Sequence, residues 1–196
     1  MSWLVPAALG AYHGLNPAMG WLFAVAIGLQ DRRAIAVLRA LPPITLGHAA
    51  AVGVVVAVFA SASTVVPAGV LRACAAAILF AFAAFLVFGK RLHPRWVGMR
   101  VGGRELVIWS FLMSSAHGAG LMLIPLVAHS HGHAAHSGSV AVLGVHTIAM
   151  FASMTVAAVC VYHVAGVGFL RRAWLNLELV WAAALIIAGI TTLRLW

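Results

Sequence analysis

Charge is what this chain has least of. Only 8% of its 196 residues are Asp, Glu, Lys or Arg, against about 25% in an ordinary soluble domain. Just three are acidic: Asp31, Glu105 and Glu178. That scarcity argues against a two-carboxylate hydrolase and against calcium or magnesium sites built from carboxylates. There are two cysteines, Cys74 and Cys160, both inside apolar runs. They make no disulfide framework and are expected to be small buried side chains. Walker, dinucleotide-binding, HExxH and GxSxG patterns are all missing. The start, Met1-Ser2-Trp3-Leu4-Val5, has no basic segment, so the first apolar run is read as a retained helix and not a cleaved signal peptide.

Apolar residues take up the space. The chain is 64% hydrophobic with a mean hydropathy of +1.08, so the lipid bilayer is its expected solvent. A formal net charge of +9 suggests nucleic acid. The basic residues fall between apolar runs and not on one patch, so no nucleic-acid partner is expected.

A membrane helix needs about 20 mostly apolar residues. Six segments qualify: Trp3 to Leu29, Leu41 to Ala60, Pro67 to Phe88, Glu105 to Ala128, Val140 to Val164 and Phe169 to Leu193. The expected fold is all-α, a single domain spanning 1–196 with six transmembrane helices. Arg32, Arg33 and Arg39 lie in the first connection, Lys90, Arg91, Arg95, Arg100 and Arg104 in the third, and Arg171 and Arg172 in the fifth. Arg72 sits just inside the third helix. The odd connections are therefore expected in the cytoplasm and both termini on the outer face of the inner membrane.

Landmarks recur. Gly69-Val70-Leu71-Arg72-Ala73 opens the third run and Gly168-Phe169-Leu170-Arg171-Arg172-Ala173 the sixth. His48 and His146 are 98 positions apart, and His13 and His117 are 104 apart. The pattern predicts a duplicated three-helix unit, over 3–90 and 104–196. An odd number of spans inverts the second copy, with the substrate site near the midplane.

His13 and His117 fall near the centres of their helices, and His48 and His146 nearer one end. Each would be costly against lipid, so each should face the bundle interior. There they could bind a transition metal through neutral imidazole or relay protons. The plainer alternative is hydrogen-bonded packing between helices. Pro17 is expected to free the His13 carbonyl, with Asn16 supplying its partner or binding a cation. Met19 has a soft sulfur but is as readily core filler. Gly10, Gly14, Gly20, Gly118 and Gly120 are expected to serve close helix packing. Glu178, with Asn176 two positions before it, is the one acid well inside an apolar run. It would be a charge or proton partner for the histidines, or an ion-pair partner of Arg171 or Arg172. His129, His131, His133 and His136 form a loop read as an accessory metal-collecting tract, or else a polar linker.

The His13-Gly14-Leu15-x-Pro17 pattern, the second His117-Gly118 pair, the three-plus-three layout and the histidine-rich loop resemble the lysine-exporter superfamily. Its six-helix members include nickel/cobalt efflux and uptake proteins, hydrogenase- and urease-accessory membrane proteins, thiol transporters of cytochrome biogenesis, and amino-acid exporters. The chain departs from its branches. Ala18 stands where the nickel/cobalt branch has aspartate, and Met19 where a related branch has a second histidine. Cys74 and Cys160 lack the thiol-transporting context. The resemblance thus implies architecture but carries no substrate with it. The expected function is transport of a divalent transition-metal cation, the metal being cargo or bound ion. Alternatives are an integral-membrane metalloenzyme, a basic amino-acid exporter and a structural subunit. A homo-oligomer is left open.

Overall fold

The computed structural model describes residues 3–88, 102–128, 135–165 and 177–194. Among these the chain is helical, with no strand. Alanine and leucine supply good helix formers, and a helix satisfies its own backbone where the surroundings cannot.

The first apolar run is not one helix. It divides into α1 (Leu4–Leu15), a 3-10 turn (Pro17–Met19) and α2 (Trp21–Asp31). Pro17 has no N–H to continue α1, and Gly20 takes a φ of 111° that side chains disfavour. The fourth run breaks in the same way. It forms α5 (Gly103–Ala116), a 3-10 turn (Leu121–Leu123) and α6 (Ile124–Ala128), with Gly118 at a φ of 65°. Its two parts are bent by 57°. The two 3-10 turns lie 104 positions apart (17 to 121), the same offset as His13 to His117 and Gly14 to Gly118.

The other elements are α3 (Ala34–Ala62), α4 (Ala68–Phe88), α7 (Ala135–Cys160, running into a π turn at Val161–Ala165) and α8 (Leu177–Arg194). α3 continues through Pro42 and Pro43. It and the stretch Gly138–Val164 are long and apolar enough to cross a membrane, and the bent α5–α6 pair makes a third if counted as one span. Large apolar side chains such as Leu46, Val58, Ile148 and Val156 face outward on α3 and α7. Exposed apolar faces of that extent suit an apolar solvent. The basic residues of the third and fifth connections from Lys90 to Arg100 and at Arg171 and Arg172 lie outside the described residues.

α1 packs along α7, α3 along α5 and α4 along α8, and α3 also crosses α7. The closest approaches use glycine. A β-carbon on Gly10 would overlap the carbonyl oxygen of His146, one on Gly14 that of Met150, and one on Gly47 that of Val107. Each tight pair is also tied by a serine. Ser153 Oγ donates to Ala11 O on α1 (3.0 Å) and Ser110 Oγ to Ile44 O on α3 (2.6 Å).

Three apolar clusters fill the interior. One joins α2, α3, α5 and α7 through Trp21, Leu41, Ile44, Leu106 and Met154. Another joins α3, α6 and α7 through Val52, Leu123, Val127 and Val142. The third gathers Met19 and Met122, one from each break, with Leu79 and Leu185. Cys74 and Cys160 are free and exposed, against expectation. Both sit on outward helix faces, where a thiol is tolerated as a small apolar group.

Gly10→Ala and Gly53→Ala should behave oppositely. Gly53 faces only Leu143 Cδ2 at 3.8 Å, so alanine is accommodated there and gains up to about 1 kcal/mol of helix propensity. Gly10→Ala forces two backbones apart and should cost about 1–3 kcal/mol. Thermal unfolding in detergent compares the two.

Candidate histidine centre

Three imidazoles from three different helices meet inside the bundle. His13 comes from α1, His48 from α3 and His146 from α7, and each is at most 1% exposed. Ring centroids are 5.5 Å apart for His13–His48, 4.9 Å for His13–His146 and 5.6 Å for His48–His146. The His48 and His146 rings are nearly parallel, at 16°, and their Nε2 atoms are 3.4 Å apart. His13 stands edge-on to both, at 65° and 74°. The glycines explain why so many rings fit: Gly10 lets α1 lie against the His146 backbone itself.

The outer nitrogens of His13 and His48 are held by oxygen. His13 Nδ1 is 2.8 Å from Leu9 O, one turn earlier. A carbonyl only accepts, so Nδ1 bears the proton and Nε2 is the acceptor of the neutral ring. His117 repeats this arrangement, with Nδ1 2.8 Å from Met113 O. His48 Nδ1 is 3.0 Å from Ser114 Oγ. The Pro6 carbonyl acts on the His146 ring as a backbone acceptor, in a geometry looser than a full hydrogen bond to Nδ1.

Ser114 gives the pair two proton arrangements. If its hydroxyl donates to His48 Nδ1, then His48 Nε2 donates to His146 Nε2, and a relay runs from Ser114 through both rings. If the hydroxyl accepts instead, His48 Nε2 carries a lone pair, which accepts from His146 Nε2–H or, when His146 is protonated at Nδ1, faces a second lone pair. Two lone pairs at 3.4 Å are tolerable only with a positive charge between them. Two nitrogens bound to one tetrahedral ion at ~2.0–2.1 Å stand ~3.3–3.4 Å apart. The pair thus has a spacing that serves either a shared proton or a shared cation. Among the described residues no group of three or more His, Cys, Asp or Glu side chains is disposed to hold a metal ion; a third ligand would have to turn in.

His117 is half-buried at the break after α5, within electrostatic range of His13. Asn16 is buried but does not serve His13 with its side chain. Its Oδ1 accepts from Ala18 N (3.0 Å), capping the 3-10 turn, and its backbone N–H donates to His13 O (3.1 Å). Asn16 Nδ2 and Thr147 Oγ1 are buried with no hydrogen-bond partner among the described residues. Met19 lies in the apolar cluster with Leu79 and Leu185, against which Tyr12 also packs. Glu178 and His136 lie on α8 and α7, but their side chains are outside the described residues, as are Asn176, His129, His131 and His133 altogether. Sequence reasoning gave no such role to Ser114 or Pro6. A serine in an apolar helix three positions before a histidine was the available signal for the first.

Neither a family model, nor a curated protein, nor a solved structure matches this chain. The site is therefore argued from its own geometry.

Two measurements check that geometry. ¹⁵N spectra of histidine-labelled protein at neutral pH should show His13 and His117 as Nδ1–H tautomers, each signal lost in the corresponding His→Asn variant. In water the other tautomer dominates, so its appearance at both positions refutes the carbonyl bonds. Ser114→Ala should destabilise the protein by about 1–3 kcal/mol in denaturant titration, because it strips a buried ring nitrogen of its partner.

Proposed function

We propose that the chain is a multi-pass inner-membrane transporter that carries a divalent transition-metal cation through the histidine centre. The single observation behind this reading is the meeting of His13, His48 and His146, from distant parts of the chain, at one buried point. Buried polar rings concentrated in an apolar bundle are costly and mark ion or proton pathways.

The reading includes six spans in two inverted halves, with α1–α2 and α5–α6 each counted as one broken span. Several facts support it. Exchanging the first span with the fourth, the second with the fifth and the third with the sixth turns the α1–α7 packing into α5–α3 and leaves α3–α7 and α4–α8 unchanged. The same exchange relates the two outer apolar clusters and returns the central one to itself. Broken helices at matching positions are where transporters of this plan bind their cargo. The lysine-exporter resemblance has the same three-plus-three layout. With the first connection in the cytoplasm, both termini lie outside.

In the proposed cycle the Nε2 atoms replace part of the ion's hydration shell. Oxygen partners on Nδ1 fix the orientation of the His13 and His48 rings, as they do around histidine-bound metals generally. Glu178 and Asn176 on or before α8, the histidines at 129, 131 and 133, and His136 in the first turn of α7 would supply charge balance and collect ions at the outer face. A basic amino-acid exporter is less well served, since no carboxylate joins the cluster among the described residues. The complete burial of the three rings favours one second reading, an integral-membrane metalloenzyme with a resident ion.

Purified protein dialysed against Zn²⁺, Co²⁺ or Ni²⁺ should retain about one ion per chain. His48→Ala or His146→Ala should weaken binding more than about tenfold. Negligible metal in the wild type refutes both readings. Flux of the bound ion into proteoliposomes separates carrier from enzyme.

A further inference from the structure

Away from the histidines, an open cleft lies where the end of α2 meets the first turns of α3 and α5. Its volume is about 240 Å³, below the ~300–1,000 Å³ of sites that enclose a whole small-molecule ligand. That space suits a head group. Ile27, Pro43 and Leu106 give it apolar walls, and Asp31, Arg33 and Arg39 are its charged groups. The three charged side chains are exposed, and none makes an ion pair or hydrogen bond among the described residues. Neither α3 nor α5 has a side-chain cap where it starts, so their first amides add positive potential to the same place. Outward from the cleft, Ile35 and Leu38 are exposed apolar side chains.

We propose that this cleft holds the head group of an anionic phospholipid of the phosphoglycerol type. A cationic, half-apolar cleft at the end of apolar helices is matched by an amphiphile of opposite charge. Arg33 and Arg39 donate to the phosphate, in the forked geometry that guanidinium and phosphate share. Asp31 accepts from a hydroxyl of the glycerol head group, and the acyl chains lie along Ile35 and Leu38. A zwitterionic lipid fits less well, because two guanidiniums face a single carboxylate. The chain leading to Gly103 is a poor occupant on charge: residues 89–102 include Lys90, Arg91, Arg95 and Arg100 and no acid. The inference needs the chain to lie in a membrane, as proposed above, but not that it carries metal.

Native mass spectrometry of the full chain in detergent would be used to titrate phosphatidylglycerol, phosphatidylethanolamine, phosphatidylcholine and soluble glycerol phosphate. Circular dichroism would confirm that each variant is folded. Phosphatidylglycerol should bind at least about tenfold more tightly than the other three. The pair Arg33→Gln and Arg39→Gln should weaken it about tenfold or more, at roughly fivefold per cation near a membrane surface. The pair Arg32→Gln and Arg104→Gln removes the same charge outside the cleft lining and should cost less than about threefold. Asp31→Asn should weaken phosphatidylglycerol binding although it leaves the cleft more positive; attraction by charge alone gives the reverse. The proposal is overturned by a smaller preference for phosphatidylglycerol, by equal losses in the two arginine pairs, or by tighter binding to Asp31→Asn. Failure of the membrane reading shows separately, as wild-type protein that does not float with phosphatidylcholine vesicles.

Discussion

The contact on which the arrangement depends is the meeting of two imidazoles at the crossing of α3 and α7. An imidazole in apolar surroundings must find partners for two nitrogens, and leaving one unmatched costs on the order of 1–3 kcal/mol. His48 and His146 solve half of that problem with each other, 3.4 Å apart. Ser114 from α5 serves the outer nitrogen of His48, while His146 Nδ1, beside the Pro6 carbonyl of α1, makes no full hydrogen bond among the described residues. Both flanking helices must therefore come close. The glycines at 10, 14 and 47 are what allow it, since any side chain there would meet a carbonyl oxygen or a neighbouring backbone. The small residues and the polar ones are thus two parts of one requirement.

The solution is built with different residues on its two sides. At the 104-residue offset, the counterpart of Gly10 is Ser114 and that of Pro6 is Ser110. On one side a missing side chain lets the backbone approach His146. On the other a hydroxyl reaches His48. The surroundings of the central pair are therefore not electrically symmetric. A proton or an ion at the centre meets a hydroxyl that can donate or accept on the His48 side, and a carbonyl that only accepts on the His146 side.

Much of this was readable from the chain alone, because apolar runs and buried histidines are strong signals in a charge-poor sequence. The 98-position offset joins His48 and His146, whose rings meet, and the 104-position offset joins two histidines that each precede a 3-10 turn. The places where the runs break were less legible. Pro17 suggested a kink within a helix, whereas Asn16 caps a separate 3-10 turn and Gly20 turns left-handed. The break after Ala116 has no proline at all; it rests on Gly118. The exposure of Cys74 and Cys160 was missed because an alanine-rich helix offers no amphipathic contrast from which to tell its inner face. Ser114 was missed because a contact across 66 positions leaves no trace in local spacing.

The way the helices pair also constrains how the molecule can be made. Among the described residues α1 packs closely along α7, so Gly10 must wait for the backbone at His146 to be synthesised. Until then its glycine face lacks that backbone, and His13 lacks one of the two rings that later surround it, that of His146. A truncated chain ending before α7 would leave α1 without this neighbour and His48 of α3 without its bonded ring. Assembly is therefore completed late, in a step that joins the earliest-made helix to one of the last.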